Sequence, residues 1–262
     1  MSDLMGSDVF LNSLNLPANC KIGSTVFKKL FYDTGLSVAD KKLITNQVEK
    51  VIIQYNLNPE KINIQPYFDE EREYPEVQVI EVRLNDINRH RRVAEIIMRA
   101  IPYPIILQLT YGTSLMVVAG KPRVNLADRQ KHTIEEFIFS PWVDSQNLSP
   151  QDHDFLASIQ AGRLSFTNFY RFYSDFVDQL HLYKAAKLAG KTLQNQDPQE
   201  ARRLHAEVVE IESELTTLRS QLEKETMFNR KVDLNIQLKR LQAQKKDIIE
   251  SLKNQGVESG RK

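Results

Sequence analysis

Apolar residues along this chain fall into two regimes: short runs of branched side chains as far as Asn147, then leucines and aromatics at three- and four-residue spacing. The densest runs, Ile105 to Thr110 and Leu115 to Ala119, flank Tyr111-Gly112-Thr113-Ser114 and predict a β-hairpin with glycine in its turn. Neither alternates strictly between apolar and polar, which marks strands covered on both faces. Val77 to Leu84 predicts another strand, with Ile80, Val82 and Leu84 on one face and Val77, Val79, Glu81 and Arg83 on the other. Thr133 to Phe139, with Trp142, reads as a final strand. Ser24 caps an expected helix through Tyr32 that Gly35 ends. Ser37-Val38-Ala39-Asp40 has capping-box spacing ahead of Leu43, Ile44, Val48, Val51 and Ile52, predicting a helix to Tyr55. Asn58-Pro59 breaks it, and Ile62 and Ile64 indicate a short strand. Asp86 is the expected N-cap of a helix whose stripe is Val93, Ile96, Ile97 and Ala100, after which Pro102 and Pro104 force extension into the hairpin.

Beyond Asn147 no strand signal follows. Ser149-Pro150 and Asp197-Pro198 each have cap-then-proline spacing and open helices. A helix over residues 165–189 carries Phe166, Phe169, Tyr170, Tyr173, Phe176, Val177 and Leu180 on one face, read as a core face, with Phe172 off the stripe and expected exposed. Leu204, Val208, Ile211, Leu215, Leu218 and Leu222 then recur at heptad spacing. A second run, Leu234, Leu238, Leu241, Ile248 and Leu252 with Lys245 in one seam position, does not continue that phase. Either the helices fold back between Glu223 and Arg230, or one long helix carries a stutter; the lack of Gly or Pro between Arg202 and Asn254 favours the continuous helix. The predicted class is α+β. Residues 1–20 form a loosely ordered arm, 21–147 a mixed-sheet α/β domain, 148–193 a helical connector, 197–254 a coiled-coil arm, and 255–262 a disordered tail.

Composition narrows the function classes. With 262 residues and 41% hydrophobic content the chain can build a real core, and a net charge of +1 limits polyanion binding to a local patch. One cysteine, Cys20, forms no intrachain disulfide and no zinc cluster, which fits a reducing cytoplasm. The opening MSDLMGSDVF has neither a basic nor an apolar leader region, and no run reaches the ~18–20 apolar residues of a membrane span.

Four constellations carry candidate chemistry. Arg89, His90, Arg91 and Arg92 crowd the expected helix start, where cations oppose the macrodipole and a bound phosphate would relieve them; the alternative is a basic turn neutralised by the acidic segment Asp69 to Glu76. Glu81-Val82-Arg83, with Glu76 and Asp69 upstream, distantly imitates the carboxylate-and-cation strand of a restriction-type metal nuclease. Arg in place of Lys argues instead for a cross-strand ion pair. The scattered histidines build no metal site, no phosphate loop or nucleophile motif is present, and nothing in the pattern calls for a cofactor. The seam residues Leu204, Val208, Ile211, Leu215, Leu218, Leu222, Leu234, Leu238 and Leu241 are expected to bury themselves against a partner or a second copy.

Lys21 to Gln54, the strand Glu76 to Leu84, Ala100-Ile101-Pro102-Tyr103-Pro104-Ile105, Trp142, Asn168 to Tyr173 and Phe228 to Asn235 together resemble the prokaryotic family named domain of unknown function 4391, over residues 16 to 254. The resemblance carries no catalytic residues. It implies a gene neighbourhood of DNA methyltransferases and superfamily 2 helicases in restriction-modification or phage-defence loci. The resulting expectation is a non-enzymatic accessory subunit contacting those proteins, with direct DNA binding or a divergent nuclease as alternatives.

Overall fold

The computed structural model describes residues 7–124, 132–193 and 197–254; the expected tail 255–262 and the outermost residues of the N-terminal arm lie outside them. The chain is α+β and divides into two units, residues 1–180 and 181–262, the boundary falling within a helix.

The first unit is built on a mixed sheet. In chain order its elements are α1 (Ser7–Ser13), β1 (Lys21–Val26), α2 (Val38–Gln47), β2 (Val48–Leu57), β3 (Tyr67–Phe68), β4 (Glu73–Tyr74), β5 (Val77–Leu84), α3 (His90–Ala100), β6 (Ile105–Tyr111), β7 (Ser114–Val124), β8 (His132–Phe139), β9 (Val143–Asp144), α4 (Pro150–Ser158) and α5 (Phe169–Ala189). The main sheet runs β1-β2-β5-β6-β7-β8 with β9 on β7, and β3-β4 is a separate ribbon. Among the strands of the described residues only β5 and β6 pair in parallel, because α3 carries the chain across between them; the other strand pairings are antiparallel. The predicted hairpin is present as β6 and β7, paired Tyr111 to Ser114, with Gly112 supplying the φ of 57° that its two-residue turn requires.

Both faces of the central strands are covered. Val51, Ile80, Val82, Leu107, Leu109 and Val118 share a core with Leu43 and Ile44 of α2 and Val93 and Ile97 of α3. On the opposite side Tyr173 of α5 donates its hydroxyl proton to the Ile105 carbonyl (2.8 Å) and accepts from the Gly120 N–H (3.0 Å). Burial raises that phenol well above its ordinary range, so it stays a donor. A Cβ on Gly120 would lie 2.8 Å from Ile134 Cγ2 and 3.1 Å from Met98 Cε. Gly120→Ala is therefore expected to cost about 1–3 kcal/mol by overpacking, read as a lower midpoint in thermal unfolding.

Several sequence expectations are corrected. Residues 7–20 are not a loose arm: α1 is anchored by Phe10, which is fully buried, and by Leu14. Ser24 to Tyr32 forms no α-helix, since residues 21–26 are the edge strand β1 and Lys28–Thr34 a 3-10 turn. Ser37 does cap α2, its hydroxyl accepting from the Asp40 N–H (3.1 Å), but the helix stops at Gln47 and Val48–Leu57 is strand. Ile62 and Ile64 are buried outside any strand. Asp86 turns the chain by accepting from the Asn88 N–H (3.0 Å), while Arg89, with φ of 56°, is the N-cap of α3. Trp142 lies outside the strands, and the short β9 follows it. Phe172 is buried, whereas Phe166 precedes α5 and is 42% exposed. The expected break at residue 147 disappears too, because α4 and most of α5 belong to the first unit rather than to a connector over 148–193.

In the second unit α6 (Pro198–Lys224) and α7 (Phe228–Asn254) pack against each other as an antiparallel hairpin, which decides against the single helix with a stutter. Ser149 and Asp197 cap α4 and α6 as their spacing predicts.

Candidate functional site

Three regions hold the residues singled out by sequence. The first lies inside the sheet. Glu81 of β5 is completely buried on the sheet face opposite the one that α2 and α3 cover, paired in register with Ile52 of β2 and Gln108 of β6. Its Oε1 accepts from Arg83 Nε (2.7 Å), and its Oε2 accepts from Gln54 Nε2. Spacing of two along a strand puts Glu81 and Arg83 on one face, and that hydrogen bond is the main cause raising the Arg83 guanidinium above its ordinary value. Glu76 is elsewhere. It lies five positions before Glu81, about 16 Å along an extended chain and on the other face. Its carboxylate accepts from Gln78 Nε2 (2.8 Å) and Asn56 Nδ2 (3.5 Å). The structure thus joins Glu81 to Arg83 as an ion pair and does not join Glu76 to either. Among the described residues no group of three or more His, Cys, Asp or Glu side chains is placed to hold a metal ion.

The second region is the start of α3. Arg92 spans Asp40 (Nε to Oδ1 3.1 Å, Nη2 to Oδ2 2.8 Å) and Glu95 (3.0 Å). The Arg92 contact holds the Asp40 carboxyl below its ordinary range and raises the guanidinium in turn. Arg91 lies 4.6 Å from the Phe139 ring centre, a cation–π placement, and His90 Nδ1 lies 2.7 Å from the Ile87 carbonyl with its ring edge-on to Trp142 at 5.4 Å. Arg89 and Arg91 are both exposed, and Arg89 adds its charge to the surroundings of Asp40. These cations diverge to separate partners instead of converging on one phosphate position. The acidic segment does not neutralise them: Asp69 pairs with Arg72 (3.3 Å) and Glu71 with Arg123 (2.8 Å).

The third region is the α6–α7 hairpin, where the heptads are used within the chain. Leu204, Val208, Ile211, Leu215 and Leu238 are buried together with Ile248 and Leu252, Leu218, Leu222 and Leu241 are half-buried against them, and Leu234 is half-buried near the turn. Lys245, the seam cation, reaches Glu212 on the facing helix (2.6 Å). The buried positions of this set are therefore occupied by the chain's own facing helix. Exposure falls instead on Met227 (58%), Phe228 (77%), Val232 (41%) and Ile236 (61%). The last three repeat every four residues on the side of α7 turned away from the seam. Sequence reading missed this stripe because the heptad leucines dominate the same segment; apolar residues left over after the seam was assigned were the signal.

No curated protein and no solved structure matches the chain. A family model described as "Domain of unknown function (DUF4391)" matches residues 14–244, and the chain belongs to that family.

Proposed function

We propose that this chain is a non-enzymatic accessory subunit that works by protein–protein contact, in the cytoplasm, within a DNA-targeting defence assembly built around a methyltransferase and a helicase. The α6–α7 hairpin serves as its coiled-coil arm and the sheet unit as a rigid body. The observation that carries the reading is the exposed Phe228-Val232-Ile236 stripe. It is an apolar surface presented to solvent by a helix whose own seam is already satisfied. The buried Glu81–Arg83 pair supports it from the other side, because a carboxylate with no exposed surface and two donors in place is a structural group and is closed to substrate.

Size-exclusion chromatography of the full chain, alone and with the products of its flanking genes, tests the reading. Co-elution in a defined complex is expected, and duplex DNA incubated with the chain and Mg²⁺ is expected to stay intact. A chain that elutes unaccompanied whichever neighbour is added would sink the proposal, as would cleavage that Glu81→Gln abolishes.

A further inference from the structure

We infer that the outer face of α7 docks an acidic amphipathic helix from another polypeptide, through the stripe Phe228, Val232 and Ile236. This rests on the accessory-subunit reading and names the chemistry of its partner.

The stripe supplies the apolar half of the contact. Side chains at intervals of four form one ridge along a helix, and all three are exposed on the face opposite Leu238 and Leu241, which pack in the core shared with α6. Charge supplies the other half. Over its length α7 carries seven Lys and Arg against three Asp and Glu, whereas α6 carries four against six. Lys231 lies on one side of the stripe, Lys239 follows Ile236 on the stripe's own line, and Arg240 and Asp233 lie on the other side, all exposed, so three cations stand around the ridge against one carboxylate. A partner helix with apolar residues at three- and four-residue spacing and carboxylates beside them would cover the ridge and meet these cations, as flanking charges do in paired helices.

The same observations disfavour a second copy of this chain. Pairing α7 with another α7 sets basic flanks against basic flanks. The acidic helix α6 has one large exposed apolar residue among those described, Val209, and so lacks a matching stripe. Nucleic acid would use the cations and stack a base on Phe228, but it would leave the aliphatic Val232 and Ile236, two of the three ridge residues, unexplained.

The test uses the full chain and a synthetic three-heptad peptide with leucine at its a and d positions and glutamate flanking them, compared with an isomer that carries lysine at the flanks. The glutamate peptide is expected to bind at least about tenfold more tightly than the lysine isomer. Phe228→Ser/Val232→Ser/Ile236→Ser should weaken it by at least about tenfold and leave the circular dichroism unchanged, because all three side chains are exposed. Equal binding of both peptides, or binding that the triple variant retains, overturns the inference. So does a dimer that the triple variant dissociates, which would assign the face to a second copy. So does duplex DNA that competes the glutamate peptide away while the triple variant still binds that DNA, which would assign the face to nucleic acid. Co-elution with a flanking-gene product that survives the triple variant also overturns it and leaves the accessory reading standing, so the two failures are distinguishable.

Discussion

Arg83→Met is expected to destabilise the sheet unit by about 3 kcal/mol, the low end of the 3–5 kcal/mol that follows loss of one partner from a buried ion pair. Glu81 has no exposed surface, so removing the cation leaves a buried carboxylate that still accepts from Gln54 but has lost its counter-charge. The low end applies because the Arg83 side chain is 28% exposed and part of its charge already faces water. Glu81→Gln should cost less, since an amide keeps an acceptor and introduces no uncompensated charge. Glu81→Leu with Arg83→Met should recover much of the loss but not all, because Gln54 then lacks its acceptor. Urea unfolding followed by the fluorescence of Trp142 gives these differences. A midpoint that Arg83→Met leaves in place would show that the pair is not structural, and would return Glu81 to the list of groups free to do chemistry.

Why that pair was visible in the sequence, and its surroundings were not, follows from how each contact is encoded. Glu81 and Arg83 are two apart in a recognisable strand, so a shared face is a local inference. Gln54 reaches Glu81 only through the register of β2 on β5, and Asp40 meets Arg92 only because α2 and α3 pack on one side of the sheet. The Leu43 to Ile52 segment fits helical spacing throughout, yet branched Val48, Val51, Ile52 and Ile53 go into a strand buried between neighbours, where period-two alternation is lost. The exposed edge strand β1 offers no apolar pattern at all and exists by pairing with β2. At the hairpin the heptads and their phase slip were legible and bracketed the turn between Glu223 and Arg230, but the choice of fold-back over a continuous helix was not, because the turn uses neither Gly nor Pro. Glu225 makes it instead: its carboxylate accepts from the Thr226 and Met227 N–H groups (2.8 and 2.9 Å) at the approach to α7, and those bonds hold its carboxyl below the ordinary range.

Acidification from pH 6.5 to 4 is expected to loosen the second unit through His205. This α6 imidazole is half-buried; desolvation first, then nearby Lys184, lower its pKa from 6.5 to about 4, with Glu212 opposing them. The folded form holds its proton less tightly than the unfolded chain, so the unfolded state binds more protons throughout this window and stability falls as pH falls. The contribution is complete above 6.5 and lost by about 4. The full displacement corresponds to roughly 3 kcal/mol, and partial solvation reduces this to about 1–2 kcal/mol. The depressed carboxyls Asp40, Asp69, Asp86 and Glu225 act in the same direction but below their ordinary values near 4, so the histidine window is separable. Hydrogen exchange of α6 amides at pH 7 and pH 4.5, corrected for intrinsic rates, should show the lost protection, and His205→Gln should flatten the difference by removing the titrating group. If the pH dependence is unchanged in that variant, the imidazole is not the group that loosens the helix; if protection instead rises on acidification, the sign assigned to its burial is wrong.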